Sequence, residues 1–349
     1  MAIRANGRGM GTMRHRKALR DQVMVITGAS SGIGLATARM AAQAGVRVVL
    51  AARSGDTLVR IAREIEGAGG HAVAVAADVG QRADVQAVAD RAIAAFGGFD
   101  TWVNVAGLTI YGPLSKVSDA DHERLLQTNL WGTVYGTLIA ADHLRERGGS
   151  IINIGSVASD LAFPFQGMYC ASKHAIKGFT DAFRMELADE GAPISVTLIK
   201  PTSIDTPLPH RARNYMDHEP MLPPPVYRPE EVARAILHAA VHPERDIVVG
   251  GGGKALTSLK EFSPGTYDLL APAIIALQKR REAPRNPDGT LHGPGQDGET
   301  RGDQPGYVQR SSTYTRASLH PASTALRLGL GLAATAFLAG QSRRRRRPL

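Results

Sequence analysis

A short glycine-rich run between a strand pattern and a helix pattern is the feature that most restricts the fold of this 349-residue chain. Residues 22–26 are almost all apolar, as in a buried strand, and the alanine-rich stretch 35–41 has the composition of a helix. The intervening run reads Thr27-Gly28-Ala29-Ser30-Ser31-Gly32-Ile33-Gly34. A tight loop at a helix N-terminus exposes backbone N–H groups and predicts an anion site, although glycines alone would also fit an ordinary turn.

The same alternation of strand and helix patterns continues to about residue 250. Nearly continuous Val and Ile runs between helices predict strands that are buried on both faces, as in a parallel sheet. We therefore expect an α/β fold: a doubly wound, Rossmann-type sheet with helices on both faces and its site at the carboxyl edge of the strands. The predicted strands lie at about 22–27, 46–51, 72–76, 99–104, 150–155, 194–199 and 246–250, and the predicted helices at about 33–44, 55–67, 83–96, 119–147, 168–190 and 229–241.

A tyrosine and a lysine at helical spacing form a second informative pattern. Tyr169 and Lys173 are four residues apart and would share one helix face, while Ser156 directly follows a strand pattern. A free phenol has a pKa of about 10, and an adjacent cation favours its ionised form, so we expect Lys173 to lower the pKa of Tyr169. Ser156 would then offer its hydroxyl to the oxygen that Tyr169 protonates or deprotonates. Taken alone, the spacing also fits a lysine stem packed against a ring.

Together these motifs resemble the classical short-chain dehydrogenase/reductase (SDR) family over residues 21–253. The family motif TGxxxGxG falls on Thr27, Gly28, Gly32 and Gly34, Asn-x-Ala-Gly falls on Asn104, Ala106 and Gly107, and the active-site positions fall on Asn129, Ser156, Tyr169 and Lys173. The resemblance implies hydride transfer between a nicotinamide and a carbonyl or alcohol carbon, with Tyr169 as general acid or base. It also implies that Lys173 binds the nicotinamide ribose and that Asn129 holds a water of the proton relay.

The residue at the end of the second predicted strand indicates which nicotinamide cofactor is used. An acid at this place would mark NAD, whereas the chain has Arg53, whose guanidinium could bind a 2′-phosphate in bidentate fashion. We therefore predict NADP(H); a solvated arginine at a strand end is the alternative. The cofactor contacts that follow from the motif and the resemblance are Gly28, Ser30, Ser31, Gly32, Ile33, Gly34, Arg53, Asp78, Val79, Asn104, Ala106, Gly107, Tyr169, Lys173, Pro201, Ile204 and Thr206.

Apolar side chains suggest the substrate class. Residues 208–229 would cover the substrate, and with Phe163 and Tyr111 they offer an apolar wall, which favours a lipophilic small molecule over a sugar. The same side chains could be core or subunit contacts. The chain departs from the family at Pro201-Thr202, where Pro-Gly is more usual, so that turn is less certain. By resemblance, helices around 119–147 and 168–190 would pair subunits into a homodimer or homotetramer. The alternative function is an NADP(H)-binding regulatory or scaffold protein with little turnover.

The positive charge lies at the two ends of the chain. Residues 1–20 carry six basic and no acidic residues, whereas 21–278 carry 22 basic and 27 acidic residues, so nucleic-acid binding is a poor inference. We expect a basic disordered tail over 1–20, a catalytic domain over 21–253, a helical extension over 254–281 and a Gly/Pro-rich linker over 282–318. Residues 319–349 combine an apolar run with five arginines, a pattern that fits either membrane association, through 322–347, or an inert tail.

Cysteine and histidine usage bounds the remaining chemistry. The single cysteine, Cys170, excludes an internal disulfide and fits a reducing, cytoplasmic compartment. Although it is adjacent to Tyr169, neighbours on a helix diverge by about 100°, so a packed thiol is the better interpretation. No Cys/His cluster has zinc-ligand spacing, and we predict no metal.

Overall fold

The computed structural model describes residues 17–295 and 297–320, and within them seven strands form one parallel sheet in the order β11-β7-β6-β4-β1-β2-β3. In this order the chain runs from β1 to β3 at one edge and then crosses back to β4 and on to β11 at the other edge, which confirms the predicted doubly wound fold. The strands in chain order are β1 Val23–Thr27, β2 Arg47–Ala52, β3 His71–Ala76, β4 Thr101–Asn104, β5 Ile110–Tyr111, β6 Gly149–Ile154, β7 Ile194–Pro201, β8 Ser203–Ile204, β9 Arg213–Asn214, β10 Val226–Tyr227, β11 Asp246–Val249 and β12 Val308–Gln309.

The interior strand β1, between β4 and β2, shows why these strand sequences are uninterruptedly apolar. All residues of β1 are buried, and alternate side chains enter opposite layers of the core. Met24 and Ile26 belong to the layer beneath α1 and α7, while Val25 packs with Trp102 on the other face. Parallel pairing places Val25 opposite both Val49 of β2 and Trp102 of β4. Burial on both faces removes the polar alternation of a half-exposed strand.

The helices agree with the predicted positions except around residue 130. The single helix predicted over 119–147 is interrupted by a wider π-helical turn, Gln127–Trp131, which places Asn129 in irregular backbone. Such turns are frequent at functional sites. The helices are α1 Gly32–Gln43, α2 Gly55–Gly67, α3 Arg82–Phe96, α4 Asp119–Leu126, α5 Gly132–Leu144, α6 Gly167–Glu190, α7 Pro229–Val241, α8 Gly251–Phe262, α9 Pro264–Asp268, α10 Ala271–Leu277 and α11 Thr313–Leu319, with 3-10 turns at Leu19–Asp21, Leu114–Lys116, Val157–Ser159 and Pro209–Arg211.

The segment 282–318 differs from the expectation of a linker because it lies against the domain. Its strand β12 pairs with β10, with Val308 opposite Val226, and Leu291 is buried. The hydroxyl of Thr315 at the start of α11 accepts a hydrogen bond from the Gly250 N–H at 3.0 Å. The high Gly and Pro content of this segment is therefore that of an extended chain packed along the surface of the domain. The domain boundaries themselves remain predictions.

The chain ends predicted as a basic tail and as an apolar, arginine-rich segment lie largely or wholly outside the described residues. Only 17–20 of the predicted tail and 319–320 of the final segment are described. Among the helices of the described ranges, none has the length and apolar character needed to cross a bilayer.

Candidate active site

The carboxyl ends of β1, β2, β3, β4, β6 and β7 border a cavity of about 270 Å³. Residues from both sequence motifs and from the ends of these six strands meet there, as expected for a doubly wound sheet. The predicted site residues that line it are Gly28, Ser30, Ser31, Gly32, Ile33, Gly34, Arg53, Asp78, Val79, Ala106, Gly107, Ser156, Tyr169, Lys173, Pro201, Ile204 and Thr206.

The glycine loop is packed too tightly for side chains. Gly28 has a positive φ of 67°, and a Cβ added there would lie 2.8 Å from backbone atoms of Ala106. A Cβ on Gly34 would lie 2.1 Å from the carbonyl oxygen of Gly28. The Thr27 hydroxyl fixes the loop by accepting hydrogen bonds from the N–H groups of Val105 at 3.1 Å and Ala106 at 3.3 Å. This cradle at the start of α1 fits the phosphates of a dinucleotide.

Ser156, Tyr169 and Lys173 converge on the same cavity from β6 and α6. Ser156 lies two residues after β6 and caps the following 3-10 turn, since its Oγ accepts from the Ala158 N–H at 3.1 Å. The Ser156 side chain also lies close enough to the Tyr169 phenol to lower its pKa in part. Lys173 is buried, donates from Nζ to the Ile154 carbonyl at 2.8 Å, and lies 5.7 Å from the centroid of the Tyr169 ring. The predicted helix spacing thus places the phenol and the ammonium in one site.

The protonation of this pair differs from the expectation. Burial raises the pKa of Tyr169 to about 12, and the Ser156 side chain opposes that rise only in part. Burial also lowers the pKa of Lys173 to about 8. Lys173 does not reverse the Tyr169 shift, because desolvation outweighs the effect of an ammonium that is bonded to a backbone carbonyl. In this structure Tyr169 is a neutral phenol and Lys173 is largely cationic at neutral pH.

The two predicted asparagines do not line the cavity. Asn129 is fully buried; its Oδ1 accepts from the Leu108 N–H at 2.7 Å and its Nδ2 donates to the Leu108 carbonyl at 2.9 Å. It therefore anchors the loop after Asn-x-Ala-Gly to the π-helical turn. Asn104, predicted to contact the cofactor, instead accepts from the Trp102 indole N–H at 2.8 Å and donates to Asn153 at 2.9 Å. Its side chain joins β4 to β6 within the core.

The end of β2 is rich in paired charges. Arg53 donates to the backbone carbonyls of Thr290 at 2.6 Å and Leu291 at 3.2 Å. Burial and the nearby Arg124 lower the pKa of the Arg53 guanidinium. Asp78 accepts from Arg124 at 2.6 Å. Arg53 is thus not an ordinary solvated arginine, but its partners in this structure are protein groups.

The wall predicted to bind substrate is apolar in part. Phe163, Tyr111 and Leu222 line the cavity. Other apolar residues of these segments belong to the core, including Leu161, which packs with Tyr267 away from the cavity. The wall also carries two amides that the sequence did not indicate, Gln166 and Gln278, joined by a 3.1 Å hydrogen bond.

One group of lining residues has no counterpart in the sequence prediction. Thr290, Pro294, Gly295 and Asp297 come from the segment taken for a linker, more than 230 residues after Arg53. Nothing in the local pattern marks them as site residues. Among the described residues, no cluster of three or more His, Cys, Asp or Glu side chains could hold a metal ion.

Comparison with known proteins agrees with this architecture. A sequence model described as "short chain dehydrogenase" matches residues 22–217. The chain is 44% identical over 310 residues to the uncharacterised oxidoreductase YxnA of Bacillus subtilis (strain 168), covering 87% of each chain. Because 87% of this chain is about 304 residues, even a match beginning at Met1 would extend past residue 300.

Two solved structures share the fold. A short-chain dehydrogenase/reductase from Burkholderia phymatum in complex with NAD has a TM-score of 0.65 and 27% identity, covering 72% of this chain and 96% of that one. An alcohol dehydrogenase from the archaeon Thermococcus sibiricus, complexed with 5-hydroxy-NADP, has a TM-score of 0.58 and 26% identity, covering 65% of this chain and 95% of that one. The chain is an oxidoreductase with a dinucleotide-binding fold and belongs to the short-chain dehydrogenase/reductase family.

Proposed function

We propose that this protein transfers a hydride between NADP(H) and a carbonyl or secondary alcohol of a lipophilic small molecule, with Tyr169 as general acid or base. The observation that carries the proposal is the convergence of Ser156, Tyr169 and Lys173 on one cavity with the glycine loop. An alternative, binding of NADP(H) for regulation with little turnover, leaves this convergence without a use.

Each side chain of the triad has a task that follows from its position. The nicotinamide supplies or accepts the hydride at its C4 when the cofactor is bound. In the reductive direction the neutral Tyr169 phenol donates its proton to the substrate oxygen, which becomes a hydroxyl. Ser156 orients that oxygen, and the cationic Lys173 stabilises the phenolate that remains. The buried amide of Asn129 acts as a positioning group, because it holds the Leu108 backbone beside the cavity.

The test of this function is a substrate panel with the full chain. We expect NADPH consumption with hydrophobic ketones and aldehydes, and kcat/KM at least about tenfold lower for sugars of similar size, because the lining carries Phe163, Tyr111 and Leu222. The absorbance of reduced nicotinamide gives the rate. Tight NADPH binding without turnover of any member would favour the regulatory alternative.

Cofactor choice rests on Arg53. The similar structures contain NAD in one case and an NADP analogue in the other, so the family does not decide between them. A guanidinium at the end of β2 can bind a 2′-phosphate with charge-assisted bonds worth about 1.5–3 kcal/mol each.

We therefore expect Arg53→Ala to raise the Kd for NADPH by at least about tenfold more than the Kd for NADH. Isothermal titration with both cofactors measures the ratio. Arg63→Ala is the matched control, because Arg63 is exposed on the neighbouring helix α2. An equal loss for both cofactors would mean that Arg53 supports the loop and does not read the phosphate.

Subunit pairing through the helices after β4 and β6 also remains a proposal. Two large apolar side chains on these elements are exposed, Trp131 at 46% and Met185 at 67%. Such residues are compatible with a homodimer or homotetramer contact on this face.

A further inference from the structure

A segment of the C-terminal extension crosses the cavity that holds the proposed site. The described residues 288–295 and 297–303 are here named the strap, and the strap residues Thr290, Pro294, Gly295 and Asp297 line the cavity together with Gly28 and Tyr169. The family sequence model ends at residue 217, so the strap lies outside the part that it describes. The similarity to the Bacillus subtilis relative reaches this far along the chain.

The first anchor of the strap lies at the end of β2. The carbonyl oxygens of Thr290 and Leu291 accept from the guanidinium of Arg53, and Leu291 also accepts from Arg124 Nε at 3.2 Å. Leu291 itself is buried, at 1% exposure, in an apolar cluster that includes Leu108. This end of the strap is therefore held by charge-assisted hydrogen bonds and by apolar packing together.

The middle of the strap is bonded to the glycine loop. The Gly298 N–H donates to the Ser30 carbonyl at 2.9 Å, and the Gly32 N–H donates to the Glu299 carbonyl at 2.9 Å. Between these anchors the Asp297 carboxylate accepts from the Ser54 hydroxyl and from the Arg211 guanidinium. Asp297 thus ties the end of β2 to the segment that was predicted to cover the substrate.

The last anchor lies on the substrate side. Arg301 pairs with the buried Asp205 at 3.4 Å, and Asp303 pairs with Arg280 and Arg285, each at 2.7 Å, and with His210. Arg280 is itself largely buried, at 8% side-chain exposure. The strap is consequently fixed at the adenosine end, over the phosphate loop and at the nicotinamide end of the site.

We propose that the strap is part of the cofactor site and encloses the dinucleotide against the glycine loop, so that release requires its anchors to break. This rests on the proposed function, since it needs a nicotinamide dinucleotide in the cavity. The strap lines the same cavity of about 270 Å³ as the glycine loop and Tyr169, which favours a role as one wall of the cofactor site. A cover that must open before release slows dissociation of the cofactor more than it changes the chemical step.

Two carboxylates of the strap allow a test in the full chain. We expect Asp303→Asn and Asp297→Asn each to accelerate cofactor dissociation by about tenfold, since each removes charge-assisted bonds that close the strap. Displacement of bound NADPH, followed by stopped-flow nicotinamide fluorescence, gives the rate. Asp90→Asn on the exposed face of α3 is the control, with an unchanged rate. NADH is run in parallel and is the deciding arm for Asp297→Asn, because the Asp297 carboxylate lies beside Arg53 and would repel a 2′-phosphate there, so its removal would also strengthen NADPH binding. Unchanged or slower dissociation of both cofactors in both variants would overturn the proposal.

Limited trypsin digestion of the wild-type chain is a second measurement that needs no variant. Arg285 and Arg301 are at least 40% exposed and flank most of the strap. We expect saturating NADPH to slow cleavage at these two sites at least about fivefold, because a bound dinucleotide adds contacts that hold the strap closed. Faster cleavage with NADPH would show that the strap and the cofactor compete, and an unchanged rate would show that they are independent; either result overturns the proposal.

These measurements separate the strap from the enzymatic proposal because neither requires turnover. If NADPH binds and the strap variants release it faster while no substrate is reduced, only the proposed reaction fails. If turnover is found but both strap measurements show no effect, only the strap proposal fails. If the wild-type chain binds neither NADPH nor NADH, both are overturned.

Discussion

Tyr169→Phe is expected to lower kcat by about 10³- to 10⁴-fold while the Kd for NADPH stays within about twofold. The substitution removes only the phenolic oxygen, so the ring still fills its place in the cavity wall. Because burial raises the pKa of Tyr169 to about 12, the phenol is protonated throughout the neutral range. Within the triad it is the group that can donate a proton to a substrate oxygen bound beside Ser156. Its loss therefore removes the proton transfer and leaves binding largely intact.

The matched control is Tyr267→Phe. Burial also raises the pKa of Tyr267 to about 12, but this tyrosine packs with Leu161 outside the cavity and donates to the Ala162 carbonyl at 2.7 Å. We expect turnover within about twofold of wild type and a loss of about 1 kcal/mol in the free energy of unfolding. Steady-state kinetics and thermal unfolding of both variants check the pair. Retention of more than a tenth of the activity by Tyr169→Phe would contradict the assigned role.

The parts of the site that the sequence predicted share a physical reason. A strand buried on both faces must be apolar along its whole length. A phosphate loop must lack side chains where an added Cβ would lie only 2.8 Å from a neighbouring backbone, as at Gly28 beside Ala106. Helix geometry likewise places Tyr169 and Lys173 on one face whatever surrounds them. Local rules of this kind appear in the sequence as composition and spacing, so both motifs and the fold could be predicted.

The strap could not be predicted in this way. Its contacts with Arg53, Ser30 and Gly32 are made by backbone carbonyls and N–H groups, which every residue carries. Because they join positions more than 230 residues apart, no local pattern records them. Its Gly and Pro content suits a chain that turns closely along a surface, but the same content is typical of disordered linkers.

The direction of the Tyr169 pKa shift also could not be predicted from the sequence. The i, i+4 spacing predicts that the Lys173 ammonium lies on the same helix face as Tyr169. The direction of the pKa shift, however, depends on how far the phenol is desolvated and on its distance from the ammonium. Partial burial of the phenol raises its pKa, and Lys173 donates one N–H to the Ile154 carbonyl. Likewise, Asn104 matches a family motif although its side chain points away from the cavity. A sequence motif identifies the residue at a position but does not predict the orientation of its side chain.

A second large effect on cofactor binding is expected at Gly34, a glycine in the first turn of α1. A Cβ on Gly34 would lie 2.1 Å from the Gly28 carbonyl oxygen and 2.7 Å from its carbon. Both are backbone atoms of the phosphate loop, so Gly34→Ala must push the loop away from α1. We expect the Kd for NADPH to rise by at least about 100-fold, because the loop N–H groups then lose their alignment with the phosphates. Titration calorimetry with NADPH measures this loss.

Gly178→Ala in α6 is the matched control, since a Cβ there would meet no atom within 4 Å. Alanine is favoured over glycine inside a helix by about 1 kcal/mol, so the free energy of unfolding should rise and Tm should increase by about 2–4 °C. The Kd for NADPH should not change. If Gly34→Ala instead bound NADPH as tightly as Gly178→Ala, the glycine loop could not be the phosphate cradle, and the cavity would need a different ligand. The pair therefore separates the general effect of an added methyl group on a helix from the specific requirement for close backbone contact beneath the cofactor.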